Sequence, residues 1–250
     1  MIRIKNAWAV AAMIEAGLRL QDLFKELPEY ISVGISTEEL DRYVGRELEK
    51  RSLKSMAYGY HGYTHMSCIS VNTVVVHGVP SAHVVLQAGD TVSVDVCASY
   101  NGYCADMART YVLPPVSPEV SRLISVTQGA LDAGITYMRA GNRLGDVSAA
   151  IGDYITRHKC GIVRDYAGHG IGRDMHEDPE VPNYGKPHTG PVLRAGMALA
   201  LEPMVTLGSG AVELDADGWT VRSADGSLSA HIEDTIIITD GDPRIITRSA

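Results

Sequence analysis

Apolar residues recur near the start of the chain at alternating steps of three and four. Val10, Met13, Gly17, Leu20, Phe24 and Leu27 thereby describe one face of a long amphipathic helix. A capping-box pattern, Ser36-Thr37-Glu38-Glu39, opens a second helix, which continues with Leu40, Val44 and Leu48 on one stripe. After Pro118 the helical period returns: Val120, Leu123, Thr127, Leu131 and Met138 mark a third helix. Leu144, Val147, Ile151 and Tyr154 mark a fourth beyond the Gly141-Asn142 break. Valine- and isoleucine-rich segments between and after these pairs read as strands. The expected order is helix pair, strands, helix pair, strands.

The residues repeat along with the elements. VLQAGDTVSVDV (85–96) aligns without a gap on VLRAGMALALEP (192–203), which sets Asp95 on Glu202. Earlier in each half, His77-Gly78-Val79 has a counterpart in His169-Gly170-Ile171, and each half is expected to end in a hairpin with a further carboxylate, Asp106 or Glu233. The expectation is one domain spanning 1–250, built as a duplicated unit with halves of about 1–115 and 116–250. A pseudo-twofold axis would bring the matched elements together at its centre.

Within TVSVDVCASYNGYCADMARTYV, an Asn101-Gly102 turn separates two alternating runs, a strong hairpin signal. With a two-residue loop, Cys97 faces Asp106 and Asp95 faces Ala108. Asp95 and Asp106 are then diagonal neighbours on one face, roughly 7 to 8 Å apart between backbone carbons. Alternation puts Val92, Val94 and Val96 on the other face. Two carboxylates this close repel unless a proton or a metal ion intervenes. Glu202 in ALALEPM and Glu233 in SAHIEDTIIIT also sit at apolar runs, where a lone buried carboxylate is costly.

The glycine-rich stretch AGHGIGRDMHEDP carries His169 and His176. It lacks the Lys-Ser/Thr pair of a phosphate loop and the H-E-x-x-H spacing that places two imidazoles on one helical face. Four carboxylates with His169 make an oxygen-rich site containing one imidazole. That composition suits a pair of divalent ions (Mn, Fe, Co or Zn) better than a tetrahedral structural zinc. A two-metal hydrolytic centre is the physical reading.

Bulk properties narrow the setting. With 250 residues, 45% of them hydrophobic, the chain is long enough to bury a large core. Its net charge of -8 and lack of any basic run argue against nucleic acid or an anionic membrane as partner. Four cysteines without a CxxC pair (Cys68, Cys97, Cys104 and Cys160) read as reduced thiols, hence a cytoplasmic setting. Arg3 and Lys5 before AWAVAAMI imitate a signal peptide, but Glu15 interrupts the apolar run and the helical stripe continues through it. No stretch reaches the roughly 20 apolar residues of a membrane span.

From the first helix to about Thr247, the sequence resembles the pita-bread metallopeptidases, and within them the type I methionine aminopeptidases. Five residues carry the resemblance: Asp95 in SVDV, Asp106 in CADMART, His169 in GHGIG, Glu202 in LEPM and Glu233 in HIEDT. It implies an α+β fold of two pseudo-symmetric halves, each with a helix pair and antiparallel strands, around a dinuclear metal site ligated by those five. It further implies that His77 contacts substrate near the scissile amide, that His176 stabilises the developing oxyanion, and that Glu202 shuttles a proton to the leaving amine. The methionine pocket would be lined by Tyr60, Tyr63, Cys68, Met175 and Trp219. Peptide and nascent-chain N-termini would be the substrates, with docking near the ribosome through the catalytic surface and a monomeric enzyme.

Four positions depart from the family's bacterial pattern. Ala57 stands for a usual cysteine, Met175 for a phenylalanine, His231 for a glutamine and Asp234 for a histidine. Asp234 adds negative charge beside a ligand, a route by which metal preference could change, and ordinary drift without a change of function is the other reading of these departures. Two other readings share the fold: an X-Pro-specific peptidase, which usually carries an additional N-terminal domain, and a catalytically inactive peptide-binding module, which would have lost metal ligands.

Overall fold

The computed structural model describes residues 1–248. The first half runs α1 (Ala7–Tyr30), α2 (Thr37–Lys50), β1 (Lys54–Ser55), β2 (Cys68–Val71), β3 (Val74–Val76), β4 (Thr91–Tyr100) and β5 (Tyr103–Val112). The second begins with α3 (Pro118–Ile135) and α4 (Leu144–Arg157), followed by β6 (Gly161–Ile162), β7 (Ala167–Gly170), β8 (Glu177–Pro182) and β9 (Ala198–Leu201). Short strands complete it: β10 (Met204–Thr206), β11 (Val212–Leu214), β12 (Val221–Ser223), β13 (Ser229–His231), β14 (Glu233–Ile237) and β15 (Arg244–Ile245). The α+β order of helix pair, strands, helix pair, strands is the expected one.

Local chemistry sets the boundaries. Ser36 Oγ accepts from the Glu39 amide at 3.2 Å while the Ser36 amide donates to Glu39 Oε2 at 2.8 Å, so the α2 capping box is reciprocal. Asn101 and Gly102 both take positive φ (50° and 76°), the requirement of a two-residue turn that matches strand twist. This turn sets the β4–β5 register, with Cys97 opposite Asp106 and Asp95 opposite Ala108, as the alternation requires. The third helix is shorter than its stripe: it ends at Ile135, and Met138 is fully buried from the turn that follows.

Among the described residues the main sheet has nine antiparallel strands, ordered β1-β4-β5-β14-β9-β7-β8, with β2 on β4 and β15 on β14. The middle of that order is a mirror: β4 and β5 from one half meet β14 and β9 from the other. The resemblance between halves extends to detail. Each second helix of a pair is pinned through its cap residue by an isolated bridge, Ser36 to Val85 and Arg143 to Val192, and the following glycines, Gly89 and Gly196, take similar positive φ (91° and 85°). One expectation needs correction. β14 does pair with β9, but the two do not form a hairpin, because residues 202–232 intervene and carry β10 to β13.

Each half has its own apolar core. The stripes of α1 and α2 (Met13, Leu20, Leu27, Leu40, Val44) pack with Val92, Val94 and Val96 of β4. Leu123, Leu131, Val147 and Ile151 of α3 and α4 pack with Leu199, Leu201 and Ile236. The halves are joined at β5–β14, where the Asp106 amide donates to Thr235 Oγ1 (2.9 Å) and that hydroxyl reaches back to the Asp106 carbonyl (2.9 Å). Beside it, Asp234 is wholly buried between two cations: Oδ1 is 2.7 Å from Arg109 Nη2, and Oδ2 is 2.6 Å from Arg248 Nη2. Thr247 Oγ1 also donates to Asp234 at 2.8 Å.

Replacing Asp234 by Asn would leave Arg109 without its counter-ion and Arg248 with only Asp132. A fully buried pair broken from one side loses about 3–5 kcal/mol, and the partial exposure of Arg248 reduces this to about 2–3 kcal/mol. An unfolding free energy from chemical denaturation of Asp234→Asn within about 0.5 kcal/mol of the parent would show the cluster to be unimportant to the fold.

Candidate metal centre

Strand register assembles the carboxylates. Ala108 on β5 is flanked by Asp95 on β4 and by Glu233 on β14. Residues directly opposite share a face, and so does Asp106 two positions back along β5, so three carboxylates project from three adjacent strands on one side of the sheet. Val92, Val94 and Val96 fill the other side. Glu202 follows β9 immediately, and its carbonyl accepts from Asn183 Nδ2 at 3.0 Å. His169 sits on β7 opposite Ala200.

The glycines around His169 have a steric reason. A Cβ at position 168 would lie 2.4 Å from the Ala200 carbonyl oxygen, and one at position 170 would lie 2.1 Å from that of Asp178. Only glycine lets the neighbouring strands approach so closely. This places the imidazole deep in the sheet, where Nδ1 donates to the Gly170 carbonyl at 2.9 Å. Nε2 then carries the lone pair, 3.6 Å from Glu202 Oε1 and 3.9 Å from Asp106 Oδ2. A backbone carbonyl that fixes the ring and its tautomer is the usual support of a metal-holding histidine.

Donor atoms of Asp106, His169 and Glu233 lie within 4.8 Å of one another, as do those of Glu202, His231 and Glu233. Glu233 belongs to both sets and bridges them in space. Asp95 falls outside both, packed against Asp106 and opposite Cys68 of β2.

Electrostatically, the cluster is unsustainable as bare anions. Burial, with Glu202 nearby, pushes Asp106 up to about 7, and burial pushes Glu202 up to about 8. Burial and the Asp106 charge hold Asp95 and Glu233 well above the carboxylate range. The imidazoles do not supply the missing positive charge, since burial drives His169 down to about 3. Glu233 Oε1 and His231 Nε2 are buried without a hydrogen-bond partner. Four carboxylates, a pre-oriented imidazole and orphaned donor atoms fit divalent cations, whose charge would replace the missing protons. Asp234 sits next to this cluster in sequence but not on its face. It lies on the opposite face, paired with Arg109 and Arg248, and its charge reaches the cluster only as the smallest of the effects that raise Glu233.

The cluster forms the floor of a cavity of about 760 Å³. Tyr60, Tyr63, Cys68, His77, Met175, His176 and Trp219 line its walls, as does Ala57. Tyr63 meets Trp219 edge-on with ring centroids 5.0 Å apart, and its hydroxyl donates to the Ser67 carbonyl at 2.9 Å. His176 stands over His169 (centroids 4.4 Å, planes at 88°) and shares a 2.8 Å hydrogen bond with the Tyr60 hydroxyl through Nδ1. His77 takes φ 56° and meets Tyr166 edge-on at 5.4 Å, and burial pushes its imidazole down to about 4. The residues expected to hold metal, bind substrate or act in catalysis therefore border one cavity, whereas His231 and Asp234 do not line it.

Three neighbours had no role assigned from sequence. Tyr166 lies in an irregular segment without periodic signal. Cys97 and His231 had a usable one: each is two residues from a cavity carboxylate, Asp95 or Glu233, and side chains two apart share a face.

Residues 11–240 match Metallopeptidase family M24. The methionine aminopeptidase of Clostridium acetobutylicum is 44% identical over 247 residues, covering 99% of both chains. That of Escherichia coli is 36% identical, covering 98% of this chain and 94% of its own. In structure, the methionine aminopeptidase of Thermotoga maritima superposes with a TM-score of 0.97 at 41% identity over the whole of both chains. A prolidase from Pyrococcus furiosus superposes at TM-score 0.80 and 20% identity, with only 66% of its length covered, and so shares the fold alone. The fold is the pita-bread fold, and the fold and site together define a metal-dependent peptidase. The chain belongs to metallopeptidase family M24.

Raised carboxyl pKa values give the site a pH signature. Without cations, the folded protein holds protons that the unfolded chain releases near pH 4, so folding takes up protons between about pH 4 and 8. The carboxyl groups' contribution to stability is fully present below about pH 4 and is lost as pH rises through about 7 to 8, where Asp106 and Glu202 ionise, while the depressed His169 works in the opposite sense below about pH 6.5. A divalent ion displaces these protons more easily at high pH. The Tm increase from a fixed excess of manganese, relative to chelator-treated protein, should therefore grow from about pH 5.5 to pH 8. An equal increase at both ends would contradict the assignment.

Proposed function

We infer that this protein removes N-terminal methionine from peptides and nascent chains, acting in the cytoplasm as a monomer and as one catalytic unit. The observation that carries the reading is a pocket beside the carboxylate–histidine cluster, walled by aromatic and sulfur-bearing side chains. Full-length similarity to methionine aminopeptidases supports it. Tyr63, Cys68, Met175 and Trp219 offer a soft, apolar surface suited to a flexible thioether. Ala57 and Met175 both line the cavity, so both departures bear on pocket width.

Asp95, Asp106, His169, Glu202 and Glu233 are the residues we assign to hold two divalent ions. When bound, such ions supply Lewis acidity toward the scissile carbonyl and a nucleophilic water at neutral pH. Glu202 lies at the edge of the cluster with an elevated affinity for protons, which suits it to take the proton of the attacking water at Oε1 and pass it to the leaving nitrogen. With the Tyr60 hydroxyl donating to Nδ1 of His176, the proton of that imidazole sits on Nε2, free to donate to the developing oxyanion. His77, neutral because of burial, offers a ring nitrogen to the amide next to the bond being cut.

Metal-stripped protein reloaded with manganese, iron or cobalt should release the first residue from Met-Ala peptides and spare matched Leu-Ala and Ala-Pro peptides. Preferential cleavage of Ala-Pro would assign the chain to the X-Pro-specific branch, and failure of every metal would favour a non-catalytic peptide-binding module. His176→Ala should lower kcat about 10²–10³-fold with little change in KM, the behaviour of a donor used only in the transition state. Tyr60→Phe should lower kcat about 3–10-fold, equivalent to losing one hydrogen bond of about 1 kcal/mol. A Tyr60→Phe enzyme as impaired as His176→Ala would show that the tyrosine does more than orient the ring.

A further inference from the structure

We propose that His231 is an additional metal-holding side chain, giving the Glu202–Glu233 side of the centre an imidazole of its own. The proposal rests on the metal-centre reading above and extends it to a residue outside the five-residue set.

His231 is 2% exposed at the end of β13. Its Nε2 has no hydrogen-bond partner. Glu202 Oε2 is only 3.3 Å away, yet the ring nitrogen's direction misses it, so proximity does not satisfy the atom. A buried imidazole nitrogen left bare is rare in a well-packed interior and calls for a partner. The partner must lie where donor atoms of Glu202 and Glu233 also converge, because these two oxygens and the His231 nitrogen lie within 4.8 Å of one another. Two carboxylates and a neutral imidazole around one point are a cation's donor set, not a hydrogen-bond network.

The backbone holds the ring in place. The His231 amide donates to Thr110 Oγ1 at 3.1 Å, and the Thr110 hydroxyl donates to the His231 carbonyl at 2.9 Å. Thr110 is in turn 2.8 Å from Ser93 Oγ. β13 is thereby tied to β5 and β4, the strands that carry Asp106 and Asp95. His231 pairs with Met204 across β10, two residues beyond Glu202, so the ring and the Glu202 carboxylate are set by the same short ladder. The consequence is chemical. Asp106, His169 and Glu233 form one set of two oxygens and one nitrogen, and Glu202, His231 and Glu233 form a second of the same composition. A nitrogen on each side shifts preference toward borderline ions such as cobalt or zinc and away from the harder manganese.

The test counts metal-bound imidazoles directly. Full-length protein labelled with ¹⁵N in its histidine rings is stripped with chelator and titrated with zinc to two equivalents, following the ring nitrogens by NMR. Two imidazoles should move to metal-bound shifts, and His231→Gln should abolish one of these signals while leaving the other. By calorimetry, His231→Gln should weaken the weaker zinc site about tenfold or more, with a smaller loss for manganese. Movement of a single imidazole, that of His169, would overturn the proposal while leaving the metal centre intact. Movement of none would overturn both. Should His231→Gln fold poorly, the count in the parent protein still decides.

Discussion

Everything in this structure is arranged around negative charges that repel one another. Asp95, Asp106 and Glu233 project from adjacent strands onto one face, with Glu202 at the edge, and burial denies them the water that would screen them. A flexible scaffold would relax by letting them separate. Here the carboxylates are fixed by strand register, and each supporting strand is anchored by its own helix pair and apolar core. The weakest point of such a design is the junction between halves. There Thr235 brackets the backbone of Asp106, and the Arg109–Asp234–Arg248 cluster closes the adjoining face.

Strand alternation sorts two neighbouring carboxylates into different tasks. Glu233 and Asp234 are consecutive, both almost wholly buried, and identical in charge. Asp234 points toward two guanidinium groups and a hydroxyl, and becomes structural. Glu233 points toward other acids and an imidazole, with one oxygen left unpartnered, and becomes part of a cation site. The chemistry follows from which face each side chain occupies, since the protein supplies counter-ions on one side only.

The fold does not choose the substrate. The Pyrococcus furiosus prolidase shares this architecture at 20% identity, and a fold by itself leaves substrate choice to the side chains of the cavity walls. Those walls are contributed by irregular segments: the loop bearing Tyr60 and Tyr63, the turn bearing Met175 and His176, and the approach to β12 bearing Trp219. Loops can change without disturbing the strand register that the carboxylates require.

The four helices, the Asn101-Gly102 hairpin and the shared face of Asp95 and Asp106 were legible from periodicity and turn chemistry, because these are local properties with a range of a few residues. The excursion separating β9 from β14 was not, since a gap of irregular sequence between matched strands carries no periodic signal. Nor was the fate of the charges. Asp234 and His231 both stand out in the sequence beside Glu233, and nothing local distinguishes an acid that will meet arginines from a histidine that will face Glu202. Arg248 and Thr247 reach Asp234 from the segment after β15, Arg109 from the other half, and Thr110 holds His231 from the other half as well. The sequence determined which residue types are available and which of them share a strand face. Only the tertiary structure decided which charge is neutralised by protein and which is left for a cation, because that depends on partners distant in the chain.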